Sequence, residues 1–193
     1  MAPRPGYSAA VPFRESVIEE VVDAIAGASR VARMVRRSAD APRALAKADA
    51  SPVTVADYAV QAILVTALHE ATGDERLDIV GEESAAVLRD RANAALLDAV
   101  VDAVQAWRPG LAAERILDAI DAGGHDATAS RFWTIDPIDG TRGFVRGNHY
   151  AVCVALIDNG EVVFGGLGCP NLSLDHRAPL AQHPESGTIV IAA

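Results

Sequence analysis

The chain is short of cysteine, of basic clusters and of long apolar runs, and each shortage removes a class of function. Only two cysteines occur in 193 residues. Cys153 lies in an apolar stretch and Cys169 precedes Pro170, with no Cys-x-x-Cys or Cys/His spacing, so a thiolate zinc site is excluded and both are expected as reduced, buried small residues. Lys and Arg number 17 against 26 Asp and Glu, a net charge of −9. Beyond Arg33, Arg36 and Arg37 no basic cluster offers a face, which argues against nucleic acid or an anionic membrane as partner; the acidic excess suits cations instead. Residues 1–20 carry no long apolar core of a signal peptide, and no run approaches the length of a membrane span, so a cytoplasmic location is expected. The five histidines form no His-Glu-x-x-His pattern and no nucleophile–base pair. Internal repeats and low-complexity linkers are also missing. Acid and hydroxyl chemistry remains.

Half of the residues are apolar, enough for one substantial core in one large domain or a tight pair of small ones. Over 14–37, Ile18, Val21, Val22, Ile25, Ala32 and Val35 recur at helical spacing, predicting a long amphipathic helix after a tail at 1–13. Ser51-Pro52-Val53-Thr54 is a helix-start signal for a second helix over 55–71, ended by Gly73 and Asp74. A short strand, Asp78-Ile79-Val80, runs into Gly81-Glu82-Glu83-Ser84, and Ala-rich helical patterns follow over 85–107 and 111–121. Beyond Gly123-Gly124 the pattern turns to strands over 131–135, 150–157, 161–167 and 188–191, with Asp158-Asn159-Gly160 as a hairpin turn. Helices first and hairpin strands later predict an α+β fold, helices layered on a largely antiparallel sheet. The last strand is expected to be an edge, or to be followed by further chain.

The stretch Trp133-Thr134-Ile135-Asp136-Pro137-Ile138-Asp139-Gly140-Thr141 ends an apolar strand in two carboxylates, a free backbone carbonyl and a hydroxyl. Pro137 fixes its own φ, so Asp136 and Asp139 are expected to converge around a rigid turn with the Ile138 carbonyl beside them. Oxygen ligands favour Mg²⁺ or Mn²⁺ over Zn²⁺. Gly140 and Thr141 let the backbone approach a ligand and expose N–H groups to a phosphate. The same residues also read as a structural turn whose acids cap local amides. Asp57 stands three after Thr54, as the acid of a capping box would, yet it also aligns with Val60, Leu64 and Leu68 at the end of an inward-facing stripe. Glu82 and Glu83 follow a strand at its carboxyl end, where sites gather in mixed folds and where solvated acids are also common.

Together, Ser51-Pro-Val-Thr-Val-Ala-Asp57, Ile79-Val-Gly-Glu-Glu-Ser84, Trp133 to Thr141 with Arg142-Gly-Phe144, and Gly168-Cys-Pro-Asn171 resemble the magnesium-dependent, lithium-sensitive phosphatases of the inositol monophosphatase superfamily. The similarity is greatest to the 3′(2′),5′-bisphosphate nucleotidase branch. The resemblance implies that Glu82, Asp136, Asp139 and the Ile138 carbonyl hold Mg²⁺ (or Mn²⁺), and that Asp57 and Thr141 prepare the attacking water. It implies that Gly140 and Thr141 hold the substrate phosphate. The implied substrate is a small phosphorylated nucleotide, 3′-phosphoadenosine 5′-phosphate or a sulfated relative, with inositol monophosphate or fructose 1,6-bisphosphate as alternatives, and a homodimer is compatible. Arg142 stands where that branch usually has Lys and receives no role. Nothing matches the Trp-Asp motif of the family's second domain, so 14–193 is expected to be the metal-binding amino-terminal domain, and a truncated, non-catalytic metal-binding or interaction domain is the competing expectation.

Overall fold

The computed structural model describes residues 15–39, 55–175, 177, 179 and 184–193. Along the chain run α1 (Glu15–Ala39), α2 (Val55–Thr72), β1 (Ile79–Val80), a 3₁₀ turn (Arg91–Asn93), α3 (Ala94–Trp107) and α4 (Ala113–Asp121), followed by β2 (Arg131–Asp139), α5 (Thr141–Val145), β3 (Ala151–Asp158), β4 (Glu161–Cys169) and β5 (Thr188–Ala192). The expected tail at 1–13, the stretch 40–50 and the helix start at 51–54, with Thr54 as capping partner, lie outside the described residues.

Twelve of the eighteen residues of α2 are buried. A helix apolar on nearly every side cannot face water, and α2 is enclosed by α1, α3, α4 and β2. The stripe of Val60, Leu64 and Leu68 is buried as expected, but burial extends beyond it to nearly all of residues 56–68. The sheet has the order β1-β2-β3-β4-β5, with β1 parallel to β2 and every other pair antiparallel, so the expected α+β architecture holds. Among the described residues no helix is long and apolar enough to cross a membrane.

Strand alternation decides which face α1 covers. Val152, Val154, Leu156 and Phe164 are buried, while Leu167 and Val190 on the opposite face are exposed. Gly166 and Gly168 let α1 sit close on the covered face: a Cβ on Gly168 would stand 2.3 Å from Ser29 Oγ. On the other face Leu167 pairs with Cys153 and Val190, beside a shallow apolar trough of about 360 Å³ that begins at Asp136. Cys153 and Cys169 are half-buried free thiols rather than fully buried ones.

Three elements differ from expectation. Residues 85–90 form turns instead of opening a long helix, because Asp121 Oδ1 accepts from the Ala85 amide at 2.8 Å and Asp90 Oδ1 caps the 3₁₀ turn through Ala92 N at 2.9 Å. β2 continues to Asp139 instead of stopping at Ile135. Gly140 opens an unexpected short helix, α5. The hairpin is as expected: Asn159 and Gly160 take φ of 50° and 81°, the paired positive values of a two-residue turn that follows sheet twist.

Gly160→Ala isolates backbone strain, since nothing lies within 4 Å of a Cβ there. The left-handed conformation predicts a loss of about 1–2 kcal/mol in urea unfolding with an unchanged m-value. The uncovered apolar face predicts concentration-dependent self-association in sedimentation velocity, relieved in Leu167→Lys/Val190→Lys. A parent chain that stays monomeric at every concentration tested would contradict this.

Candidate metal centre

Because β1 and β2 run parallel, with Ile79 opposite Trp133 and Val80 opposite Thr134, their carboxyl ends emerge side by side. Gly81-Glu82-Glu83 leaves the first end, and Asp136-Pro137-Ile138-Asp139 forms the second. The first turn of α2 brings Asp57 to the same corner, with only 4% of the residue exposed.

One buried amide fixes this corner. Gln61 lies one helical turn beyond Asp57 and is fully buried. Its Oε1 accepts from the amides of Glu82 at 3.0 Å and Glu83 at 2.9 Å. Its Nε2 donates to the carbonyls of Glu83 and Ile120, both at 2.8 Å. Those four bonds use both lone pairs and both protons of the side chain. The backbone closes around it: a Cβ on Gly81 or on Gly123 would come within 2.7 Å of Gln61 atoms, and the Gly81 amide donates to the Gly123 carbonyl at 2.7 Å. Gln61 was not among the expected site residues, although a lone amide in an apolar helix, four after an acid, was the signal for it.

At the end of β2 the structure corrects an expectation. Asp136 to Asp139 is a bulged strand, not a free-standing turn: Asp136 pairs with Cys153 and Asp139 with Ala151, so one extra residue is accommodated on β2. Pro137 is tolerated because the bulge needs no ladder donor from it. Ile138 is buried to 1% exposure and pins the bulge to the core. Its carbonyl is not free, because Thr141 Oγ1 donates to it at 3.2 Å. The second lone pair of that carbonyl remains for a cation. Gly140 takes φ 86° and ψ 40°, a conformation that favours glycine, and caps α5, so the first amides of α5 have no helical acceptor.

The electrostatics tie the acids into one group. Burial, then Asp57, then Glu82 push the Glu83 carboxyl up to about 7. Asp136 is raised by burial, then by Glu82 and Asp139, against a hydrogen bond from the Ile138 amide. Tyr58 is raised by burial and then by Glu83 and Asp57. Five carboxylates therefore act on one another across the corner, and Asp136 Oδ1 is buried with no hydrogen-bond partner. Among the described residues no group of three His, Cys, Asp or Glu side chains is already arranged to hold a metal ion. Crowded carboxylates with an orphaned oxygen fit a hard divalent cation, whose charge would offset both burial and repulsion.

Glu82, Asp136, Asp139 and the Ile138 carbonyl thus meet at this corner with Gly140 and Thr141 next to them, and Asp57 enters through Glu83. Glu83 was weighed with Glu82 as a strand-end acid but given no ligand role, and Asp121 was not expected near it. Asp121 is reached only through its bonds to Ala85 and Arg89, which no sequence pattern announces.

Gln61→Leu keeps the volume and leaves two amides and two carbonyls unpaired in or near the core. At about 1–3 kcal/mol per stranded buried group, a loss of about 3 kcal/mol or more is expected in denaturant unfolding. Gln105→Leu, which removes a single bond to the Leu111 carbonyl, sets the scale and is expected to lose about 1 kcal/mol.

The model of the inositol monophosphatase family matches residues 14–183. The chain is 38% identical over 159 residues to a 3′(2′),5′-bisphosphate nucleotidase of Schizosaccharomyces pombe, covering 78% of this chain and 44% of that protein. It is 40% identical over 178 residues to the 3′,5′-bisphosphate nucleotidase AHL of Arabidopsis thaliana, covering 84% and 48%. Extragenic suppressor protein SuhB from Bartonella henselae superposes with a TM-score of 0.49 at 20% identity, over 79% of this chain and 45% of that one. The chain spans a little under half the length of the curated relatives it matches. On the match over 14–183 and these identities, the chain belongs to the inositol monophosphatase family.

Proposed function

We propose that residues 14–193 form the metal-binding domain of a Mg²⁺-dependent phosphate monoester hydrolase that uses water to remove the 3′-phosphate of 3′-phosphoadenosine 5′-phosphate, leaving adenosine 5′-phosphate and inorganic phosphate, or of its sulfated relative, leaving the 5′-phosphosulfate. The observation that carries this reading is the buried, unpartnered Asp136 Oδ1 among mutually repelling acids where two parallel strands end. The names of the similar proteins favour a bisphosphorylated nucleotide over inositol monophosphate or fructose 1,6-bisphosphate.

In this reading Glu82, Asp136, Asp139 and the Ile138 carbonyl hold the cation. When bound, Mg²⁺ supplies Lewis acidity to the phosphoryl oxygens and lowers the pKa of water at the site. Thr141 has its proton committed to the Ile138 carbonyl, so its oxygen lone pairs are offered to a water proton. Asp57 is the general base, buried and next to Glu83, and it takes the proton by way of Thr141 once that hydroxyl turns from Ile138. The amides of Gly140 and Thr141 orient the phosphate oxygens at the start of α5. Gln61 is a positioning residue that keeps the Glu82–Glu83 backbone in place. A second reading, cation binding without turnover, is motivated by the chain spanning a little under half the length of the curated relatives it matches.

The deciding measurement is phosphate release from 3′-phosphoadenosine 5′-phosphate with Mg²⁺, with and without Li⁺, while Mn²⁺ binding is followed by water-proton relaxation. Inositol monophosphate and fructose 1,6-bisphosphate run in parallel. Turnover that needs Mg²⁺ and falls with Li⁺ is expected, fastest on the nucleotide. Asp136→Asn is expected to lower it at least a hundredfold. The same variant, free of metal, should unfold at an equal or higher denaturant midpoint, because it removes a buried charge with like neighbours. Asp136→Asn that turns over like the parent would sink the assignment, and Mn²⁺ binding without turnover would select the second reading.

A further inference from the structure

The segment that carries Glu82 and Glu83 is held at both ends, and its second holder lies on α4. Gln61 accepts from the amides of Glu82 and Glu83 and donates to the Glu83 carbonyl. Three residues beyond Glu82, the Ala85 amide donates to Asp121 Oδ1 at 2.8 Å. Ala85 and Leu88 are buried, so the turn that follows the acids is seated in the core. Three amides between Glu82 and Ala85 are thus bound by side chains from two different helices.

Asp121 stands where an acid is disfavoured. It is the last residue of α4, whose final turn carries no basic residue, and a helix C-terminus repels negative charge. Glu114 and Asp118 share its face of the helix, at spacings of four and then three residues. One cation answers all three: Arg89 donates to Glu114 Oε1 at 2.8 Å, to Asp118 Oδ1 at 3.3 Å and to Asp121 Oδ2 at 3.2 Å. Arg89 belongs to the same turn that Asp121 holds, and its amide donates to the Ala85 carbonyl at 3.0 Å. Turn and helix end are therefore joined twice, through the Ala85 amide and through the Arg89 guanidinium. Exposed ion pairs of this kind add little stability, so stability alone does not account for an acid at this position. A fixed backbone does.

We propose that Asp121 is a positioning residue of the cation site: steadied by Arg89, it fixes the exit of the Glu82–Glu83 segment as Gln61 fixes the entry, and so sets where the Glu82 carboxylate stands relative to Asp136. This rests on the reading of Glu82 and Asp136 as cation ligands. Asp57 and Glu82 repel Glu83, and a segment anchored at one end only could swing outward to relieve that repulsion. With Ala85 anchored as well, the acids stay together until a cation relieves them. Asp121 touches neither cation nor substrate in this account; it acts through the one amide it holds.

The test takes two readouts on the full chain: amide hydrogen exchange in chelator, and Mn²⁺ titration followed by water-proton relaxation. Asp121→Ala removes the acceptor and is expected to speed exchange at the Glu82, Glu83 and Ala85 amides and to weaken Mn²⁺ binding about tenfold, within the range for groups that orient metal ligands. Asp121→Asn keeps an oxygen for the Ala85 amide and is expected to restore both readouts. Glu114→Gln takes an ion pair from Arg89 but leaves the Ala85 bond, and Gln105→Leu removes the unrelated bond to the Leu111 carbonyl. Both should bind Mn²⁺ as the parent does, which separates positioning from a general loss of stability. Parental Mn²⁺ affinity in Asp121→Ala would overturn the proposal and leave Asp121 as a cap of the turn at 85–88. Asp121→Asn as weak as Asp121→Ala would also overturn it, since charge rather than the bond would then be acting. A parent that takes up no Mn²⁺ would sink the cation reading instead. Exchange at Glu82 and Glu83 in Asp121→Ala then decides the positioning by itself: faster exchange sustains it and unchanged exchange overturns it.

Discussion

The saturated amide of Gln61 is the constraint on which the candidate site depends. A glutamine inside a helix as apolar as α2 is tolerated only if each of its hydrogen-bonding positions is filled, and all four are filled by backbone. Those partners belong to the chain leaving β1 and to the end of α4, so one side chain ties three segments together. The burial of α2 thus has a functional consequence. The helix that fills the core also fixes the backbone of two acids, and Asp57, one turn away, shares that rigidity.

What Gln61 holds in place is unfavourable by itself. Burial disfavours charge on Glu83 and Asp136, and neighbouring carboxylates add to it, Asp57 and Glu82 acting on Glu83 and Glu82 and Asp139 acting on Asp136. A loop free to move would spread such charges into water. Here the bulge at Asp136 to Asp139, the buried Ile138 and the Gln61 bonds oppose that escape. Stability is given up locally in favour of an arrangement that a divalent cation would relieve, the pattern expected where a fold is shaped by a ligand rather than by its own packing.

Much of this was legible in the sequence because the acids sit at ends of elements. The strand run up to Ile135, the Asn159-Gly160 turn and the helical spacing of α1 each follow from local chemistry that tertiary contacts leave alone. The misreadings share one cause. An Ala-rich stretch after Glu83 has helical propensity, but Asp121, more than thirty residues away, captures the Ala85 amide. Pro137 signals a turn when read alone, whereas pairing with β3 turns the same residues into a bulged strand. Gln61 stood out as a lone amide in an apolar helix, but what it holds was hidden because its partners are main-chain atoms, which leave no pattern of residue types. Side-chain chemistry is written in the sequence; backbone acceptors are set by the fold.

The sidedness of the sheet links the fold to the chemistry. Alternation places Asp136 in register with Cys153 and Thr134 with Ala155, on the face that α1 leaves uncovered, while Ile135 and Val154 point into the core. A carboxylate on the covered face would be sealed under the helices with no path for a cation or a phosphate. One on the uncovered face but away from a strand end would be solvated and lie far from Glu82. Only at the carboxyl end of β2, beside the parallel β1, does an outward-facing residue meet both requirements, partial burial and access. The single parallel pair in an otherwise antiparallel sheet is therefore not incidental, because antiparallel neighbours would send the Glu82 and Asp136 segments out at opposite edges.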